Sequence, residues 1–545
     1  MKKILLAVIV VLLLVLVAWP YRAEWLLRTV IGLDNLRNPV LENQPVNWQR
    51  GEHAPADKRP NIILIVADDL GFNDISFHGG QQATLPTPAI DSLAQQGVSF
   101  SSAYAGNAVC APSRAMLMTG RYSTRFGFEF TPAPRSFAKM FNILPQNSDA
   151  VHQPEVDMAA VDRLPTFQSM GMPTEEITLA EQLQAAGYHT LHIGKWHLGR
   201  DQGMRPEHQG FDESLLMESG LYLPVDDPQV VNARQDFDPL DQAIWLKMRY
   251  AASYNGGPAF APKGYLTDYY TDQAISAIEA NKDRPFFLYL AHWGVHSPLQ
   301  ALKADYDALA HIQDHRLRVY SAMLRALDRS VDRVMQALVD NGIDDNTLVI
   351  FTSDNGAPGY LGLPDLNAPF RGWKLSYFEG GVRVPFYVRW PQQLSPGLRY
   401  DAPVSHLDVF ATVATAAKAG LPAERVLDSV DLLPYLSGDK QGLPHEAIFW
   451  REGDYQGVRA GDWKLMRSPN PNKIWLYNLK DDPLEIHNLA ADKPDVVARM
   501  TAQLAEHNSQ QQDSRWPSVV SLPVLIDKTM AEPATTDDEY IYWPN

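Results

Sequence analysis

The chain has 545 residues, of which 45% are apolar and 20% charged, with a formal net charge of −17 and a single cysteine. That length exceeds one small core and predicts a large domain with a smaller one beside it. The acidic balance excludes nucleic acid as the partner, and the cysteine count excludes an intrachain disulfide.

Behind Lys2 and Lys3, Ile4–Trp19 is an unbroken apolar run. It is long for the core of a signal peptide and slightly short for a bilayer span, and no small-x-small cleavage site follows it. Residues 1–20 therefore read as an uncleaved membrane anchor in preference to a cleaved signal. In either case the lysines stay in the cytoplasm and the body is exported to the periplasmic or extracellular side. Residues 21–60 read as a polar, proline-containing tether.

Asn61–Ala67 (NIILIVA) is the first strand, apolar throughout as in a parallel sheet covered on both faces. It runs into Asp68-Asp69. A short helix follows, with Thr87 as its cap, Pro88 at its first position and Gly97 at its end. Next comes Asn107–Arg121, which holds the lone Cys110. Pro112 is tolerated only in a first helical turn, so Cys110 sits where a loop becomes a helix, at the positive end of the helix dipole. Arg114 lies on the same helical face. A lone buried cysteine is ordinarily a small hydrophobe, but an arginine beside it suits anion chemistry better than core packing.

Residues 131–172 show no usable period and read as an irregular pocket wall or solvated surface. Thr178–Glu181 is a capping box opening a helix that closes at Gly187. The strand His189–Ile193 leads into Gly194-Lys195-Trp196-His197, whose lysine and histidine point to one side at i, i+2 spacing. Phe286–Ala291 is another buried strand, ahead of His292 and His296. Tyr320–Leu338 carries an apolar stripe at helical spacing, stopped at Asn341-Gly342. Thr347–Thr352 is a strand running into Asp354-Asn355-Gly356. Strands alternating with helices predict an α/β fold, a large mostly parallel sheet sandwiched by helices over residues 61–420. The polar clusters fall at the carboxyl ends of strands, where such sheets place their sites. Short strands at Gly457–Met466 and Lys473–Leu479 and a helix near Val496–Leu504 predict a smaller antiparallel α+β subdomain over 421–510. An irregular tail is expected over 511–545.

Asp68-Asp69 and Asp354-Asn355 are oxygen-rich pairs that can converge on a hard cation. Taken singly, such residues cap helices or form turns. With no histidine-rich ligand set, zinc is disfavoured; calcium is the choice and magnesium the second.

Cys110-x-Pro112-Ser113-Arg114, followed by Thr119-Gly120-Arg121, resembles the signature of the formylglycine sulfatases of the alkaline phosphatase superfamily. The motif resemblance runs over about residues 60–420. It implies that a maturation enzyme oxidises Cys110 to formylglycine (3-oxoalanine). It also implies that Asp68, Asp69, Asp354, Asn355 and the oxidised Cys110 hold one divalent cation. Gly194–Gly199 resembles the family's G-K-W-H-L-G, in which the lysine binds substrate and the histidine handles the nucleophile's second hydroxyl, here Lys195 and His197. His296 carries over as a leaving-group or sulfate contact, although Val295 stands where the family commonly has proline. Gly372–Pro385 resembles G-x-K-x-x-x-x-E-G-G-x-R-V-P, which makes Lys374 a second sulfate contact. Arg114 joins the catalytic set. Glu379 and Arg383 read as fold-holding and His292 as structural; the sequence leaves His406 open, with the structural reading leading.

The implied activity is hydrolysis of a sulfate ester by a metal-bound formylglycine hydrate, releasing sulfate and a sugar or aryl alcohol. Its second hydroxyl, absent from serine or cysteine, is what lets the sulfuryl group be expelled. The substrate would be a sulfated small molecule or saccharide, chosen by residues in 131–172, 221–262 and the C-terminal part. Two alternatives stand beside this reading: a phosphonate monoester or phosphodiester hydrolase of the same superfamily, and an anchored binding protein with a dead site.

Overall fold

Strand β1 (Asn61–Ala67) is apolar on both sides of its pleat and buried nearly throughout, so it needs cover above and below. In the computed structural model it lies at the middle of a nine-stranded sheet. The structure describes residue 32 and residues 35–52, 59–79, 85–143, 150–201 and 203–545. The remaining strands of the sheet are β2 (Val98–Phe100), β3 (His189–Gly194), β4 (Glu213–Gly220), β5 (Tyr250–Tyr254), β6 (Phe286–Ala291), β7 (Thr347–Ser353), β8 (Phe386–Arg389) and β9 (Leu398–Tyr400). Their order is β9-β2-β8-β7-β1-β6-β3-β4-β5. The run from β7 to β4 is parallel, and antiparallel pairing enters at β8 and β5. This is the mostly parallel sheet expected.

Alternate residues of the strands face two helical layers. Ile63, Ile65, Leu288, Leu290, Val349 and Phe351 pack against α1 (Pro88–Gln96), α4 (Leu266–Asn281) and α5 (His315–Asp340). Ile62, Leu64, Val66, Phe287, Leu348 and Ile350 pack against α2 (Cys110–Thr119), α3 (Leu179–Ala185) and α6 (Asp408–Ala416). The capping box of α3 forms as expected, with Thr178 and Glu181 bonding each other's backbone N–H. Helix α5 begins ahead of its apolar stripe, because the Asp314 carboxylate accepts from the Leu317 N–H and caps it at His315.

Register places the site. Ala67 pairs with Ser353, and Val66 and Gly194 both pair with Ala291. Strands β1, β7, β6 and β3 thus end at one level, and Asp68, Asp354, His292 and Lys195 are each the next residue.

The smaller sheet is antiparallel, β10 (Ile448–Glu452), β11 (Tyr455–Ala460), β12 (Trp463–Pro469) and β13 (Asn472–Asn478), with α7 (Pro494–Ser509) packed on it. Gly457–Met466, expected as one strand, is two, because the chain turns back at Gly461 with φ 58°. The expected irregular tail is a further departure. Strands β14 (Val520–Leu525) and β15 (Tyr540–Pro544) pair with each other, β14 pairs on its other edge with Glu155–Val156, and Ile541 and Trp543 are buried with Tyr377, Phe378 and Trp450. The inward–outward alternation of Tyr-Ile-Tyr-Trp was hidden because its outward residues are aromatic too. The stretch 131–172 likewise contains helices, Arg135–Ile143 and Met158–Arg163.

Within the stretch expected as a tether, residues 41–51 lie along the body: Leu41 bridges Phe260, the Trp48 indole donates to Gln273, and the Gln49 N–H donates to Glu213. The apolar run Ile4–Trp19 lies outside the described residues. Among the described residues no helix is long and apolar enough to cross a membrane.

A fully buried ion cluster joins the two sheets. Lys464 of β12 bonds Glu379 at 2.8 Å and Glu485 at 2.9 Å. Burial works to raise the Glu379 carboxyl, but Lys464 and then Arg383 outweigh it and hold it down to about 2. Breaking a buried pair on one side leaves an uncompensated charge. Lys464→Met is therefore expected to lower stability by about 3–5 kcal/mol, read as the midpoint of urea unfolding. An unshifted midpoint would show that the cluster does not hold the sheets together.

Candidate functional site

Asp68 and Asp69 follow β1, Asp354 and Asn355 follow β7, and Cys110 opens α2 from the layer beneath. All of them are buried, Cys110 at 2% exposure and the others at 0%. The Cys110 thiol lies 3.6 Å from Asp68 Oδ1 and 3.7 Å from Asp69 Oδ1. The Asp69 N–H donates to Asp354 Oδ1 at 3.1 Å, and Asn355 Nδ2 donates to Asp69 Oδ1 at 2.7 Å. The two pairs read from the sequence, distant along the chain, therefore meet beside the cysteine.

Three cations face these three carboxylates. Lys195 Nζ donates to Asp68 Oδ2 at 2.6 Å. Lys374 Nζ donates to Asp69 Oδ2 at 2.9 Å. Arg114 donates from Nε to Asp354 Oδ2 at 2.8 Å and from Nη1 to the Tyr289 hydroxyl at 3.1 Å. Asp69, His197 and Leu375 have φ of 61°, 64° and 77°, left-handed conformations that L side chains adopt only where surroundings enforce them. Each is a site residue or the direct neighbour of one.

The electrostatics follow from burial. Desolvation and the nearby Asp354 push Asp68 up to about 7. Asp354 feels the same desolvation, but Arg114 and then Lys195 hold it down to about 2. Burial likewise opposes ionisation of Asp69, yet Lys374 and His296 bring it below the usual carboxylate range. Burial, then Asp354, pushes the Cys110 thiol well up, so the polypeptide alone does not make it a thiolate nucleophile.

His197 is held well below its ordinary value by burial and by Lys195 and Arg114, and its buried Nδ1 has no partner. His296 is pushed down to about 3, chiefly by burial. Its Nδ1 sits 2.6 Å from the Ser297 carbonyl, which requires a proton on that nitrogen and turns Nε2 toward Asp69 Oδ2 at 3.5 Å. His292 and His406 stand outside the cluster: His292 bonds Ser330, and His406 spans Ser113 and Thr352.

The donor set fits a hard cation. Ligand atoms of Asp68, Asp69, Cys110 and His296 all lie within 4.8 Å of one another. Asn355 Oδ1 is buried beside them without a hydrogen-bond partner, an orphaned acceptor of the kind a cation satisfies. A carboxyl raised to about 7 beside two others is also what a divalent charge relieves.

Some site residues gave no sequence signal. The Tyr360 hydroxyl donates to Asp69 Oδ2 at 3.0 Å and accepts from Lys374 Nζ at 3.3 Å. Trp293 stacks under His296 with ring centroids 4.0 Å apart and has Lys195 Nζ 4.8 Å above its ring. The Tyr222 hydroxyl donates to the carbonyls of Trp293 and His296, each at 2.8 Å. Lone aromatics in loops carry no spacing rule. Only the nearness of Trp293 to His296 in the sequence could have suggested a link.

Two family profiles match the chain, the sulfatase family over residues 60–419 and the C-terminal region of N-sulphoglucosamine sulphohydrolase over residues 372–512. Steryl-sulfatase from Mus musculus is 33% identical over 466 residues, covering 72% of this chain and 68% of that protein. N-acetylgalactosamine-6-O-sulfatase from Bacteroides thetaiotaomicron is 30% identical over 527 residues, covering 84% of this chain and 94% of that one. Among solved structures, Ps i-CgsB in complex with k-i-k-neocarrahexaose superposes with a TM-score of 0.69 at 31% identity, covering 84% of this chain and 94% of the other.

If the cluster holds a cation, calcium added to cation-stripped protein is expected to raise Tm. A hundredfold excess over Kd corresponds to about 2.7 kcal/mol of added stability. Asn355→Ala removes the orphaned acceptor and is expected to move the calcium titration to concentrations on the order of tenfold higher, roughly 1.4 kcal/mol. A Tm that ignores calcium would argue against the ion.

Proposed function

The chain belongs to the sulfatase family and hydrolyses sulfate esters, and we propose that it does so on a sulfated saccharide, using a formylglycine made from Cys110 and one calcium ion. The observation that carries this reading is the meeting of Cys110, Asp68, Asp69, Asp354 and Asn355 with Lys195, Lys374 and Arg114 in one buried pocket. When present, the ion supplies Lewis-acid charge and the hydrated aldehyde supplies the nucleophile. Asp68, Asp69, Asp354, Asn355 and residue 110 would hold the ion, with magnesium as the second choice of metal.

The polypeptide's own share is electrostatic. A sulfate ester is a weak electrophile ringed by repelling oxygens, so its hydrolysis needs positive charge fixed where negative charge gathers. The pocket's three carboxylates and three cations balance one another, and a divalent cation tips it positive. With those carboxylates holding the ion, Lys195 and Lys374 would be free to meet the sulfuryl oxygens, while Arg114 is held by Asp354 and Tyr289. His197, kept neutral by burial, offers a lone pair to accept a proton from the group at position 110. His296 carries its proton on Nδ1 in the neutral ring that burial favours, so to donate through Nε2 it would first take up a proton from solvent, which the departing alkoxide then receives. The Trp293 ring beneath fixes its plane.

The saccharide preference is supported by the relative named for N-acetylgalactosamine-6-sulfate and by the solved structure that carries a carrageenan-type oligosaccharide. Export through the Ile4–Trp19 segment as an anchor, and maturation of Cys110 by a formylglycine-generating enzyme, complete the proposal. The sulfatase match across the site favours this reading over the phosphoester-hydrolase and dead-site alternatives.

Cys110→Ala is expected to abolish turnover while leaving the circular dichroism spectrum and Tm unchanged. Mass spectrometry of the wild-type peptide around position 110, from cells able to mature it, is expected to show the aldehyde. Full activity in the alanine variant would sink the proposal. His197→Ala should slow turnover by roughly 10²–10⁴-fold, measured as kcat on a chromogenic aryl sulfate; a loss confined to KM would move His197 out of the proton-transfer role.

A further inference from the structure

Resting on the sulfated-saccharide reading of the pocket, we propose that Arg316 and Phe237 form a second anion subsite at its rim. This subsite holds another sulfate or carboxylate borne by the same saccharide.

Arg316 lies in the first turn of α5 and is partly exposed. Its guanidinium carbon sits 4.8 Å from the centroid of the Phe237 ring, and Nη1 donates to the Gly362 carbonyl at 3.1 Å. Its Nε is buried with no partner, and among the described residues no carboxylate pairs with it. Of the other arginines of the helix, Arg325, Arg329 and Arg333 pair with aspartates of neighbouring segments, while Arg318 stacks on Tyr306 and donates to its carbonyl. In a chain with 64 acidic and 47 basic residues, a guanidinium held in place without a carboxylate is available to an outside anion.

Three independent connections set this group beside the catalytic pocket. Tyr320, one helical turn further along the same face of α5, donates its hydroxyl to Asp74 at 2.6 Å, in the loop that follows Asp68-Asp69. Gly362 closes the turn that begins at Gly359, and Tyr360 within that turn donates to Asp69. Phe237 follows the short strand Val230–Ala233, in which Ala233 pairs antiparallel with Leu299, three residues after His296. Arg316 is thus tied directly to the Tyr360 turn, through Tyr320 of its own helix to the loop after Asp68-Asp69, and through Phe237 to the strand that follows His296.

The subsite is also preorganised. Gly362 has φ 67°, and a Cβ there would come within 2.6 Å of both Arg316 Nη1 and Phe237 Cζ. A side chain at 362 would displace the stack, and its absence leaves the guanidinium fixed between an aromatic face and a carbonyl. Such a group presents its remaining N–H donors in a rigid fork, the geometry that suits sulfate and carboxylate oxygens.

The test uses full-length matured protein, with formylglycine verified by mass spectrometry. It compares a disulfated disaccharide and a monosulfated, uronate-bearing one with a neutral monosulfated disaccharide. The wild type should prefer the doubly anionic substrates, and Arg316→Met should reduce the ratio of kcat/KM between doubly and singly anionic substrates about tenfold or more, as loss of a charge-assisted hydrogen bond implies. Arg316→Lys should retain part of the preference. A response of only one doubly anionic substrate says which anion the subsite takes. An unchanged ratio in Arg316→Met overturns the proposal.

Calorimetric binding of the disulfated disaccharide to Cys110→Ala protein, with and without Arg316→Met, reads the subsite apart from turnover. Weaker binding in the double variant supports the subsite even if no sulfate ester is hydrolysed, an outcome that would count against the catalytic reading alone. Equal binding overturns the subsite and leaves that reading standing.

Discussion

Burying Asp68, Asp69 and Asp354 within hydrogen-bond reach of one another's loops is the constraint on which the rest depends. Isolated ionised carboxylates cannot be taken out of water at tolerable cost, so each must have a cation against it. The structure provides one for each: Lys195, Lys374 and Arg114. These come from three separate parts of the chain, and the parallel sheet is what lets them converge. Strands β1, β3, β6 and β7 end at a common level, so the loops that follow them open onto the same space. Arg114 arrives from the opposite layer, carried on the helix that Cys110 begins.

The loop that brings Lys374 in shows how tightly that convergence is set. The Gly356 N–H donates to the Gly381 carbonyl at 3.0 Å, and a Cβ at Gly356 would lie 1.9 Å from the Gly380 carbonyl oxygen. The glycine of the Asp354-Asn355-Gly356 turn and the paired glycines after Glu379 are therefore one backbone-to-backbone contact, and only residues without side chains permit it. Glu379, next to those glycines, is anchored in turn by Lys464 of the smaller sheet. The second sheet thus acts on the site at a distance. It touches no reacting group, yet it fixes the loop from which Lys374 reaches Asp69.

What could be read from the sequence was what repeats or clusters. The apolar runs of β1, β6 and β7 have a physical reason to be continuous, since both faces are covered. The Asp pairs and Cys110 stand out because polar residues at strand ends and a proline in a first helical turn are local signals. Tyr360, Trp293 and Tyr222 were illegible for the opposite reason. Each acts through a contact made across the pocket, and nothing in its neighbours along the chain records that contact. Strand β15 was missed because its outward residues are aromatic, which erases the alternation that marks a half-buried strand, and β14 (VSLPVL) because it carries a proline and is half-buried along nearly its whole length. The sequence leaves the role of His406 open; in the fold its two ring nitrogens span Ser113 and Thr352, tying the cysteine helix to β7.

An acidic protein with an anionic substrate poses an apparent contradiction, and the distribution of charge resolves it. At physiological ionic strength the Debye length is about 8 Å, so surface aspartates and glutamates beyond that distance scarcely act on the pocket. Inside, screening is weak and the local sum decides. Without a divalent cation that sum is neutral, because each lysine or arginine is spent on a carboxylate. A bound divalent cation would change the sign: held by the carboxylates, it would leave Lys195 and Lys374 free to meet an anion. Cation and sulfate ester should then bind in sequence and with mutual reinforcement, because the first to arrive creates the field that the second requires. Arg316, positive and unpaired at the rim, extends the same field outward to where a second charge on the substrate would lie.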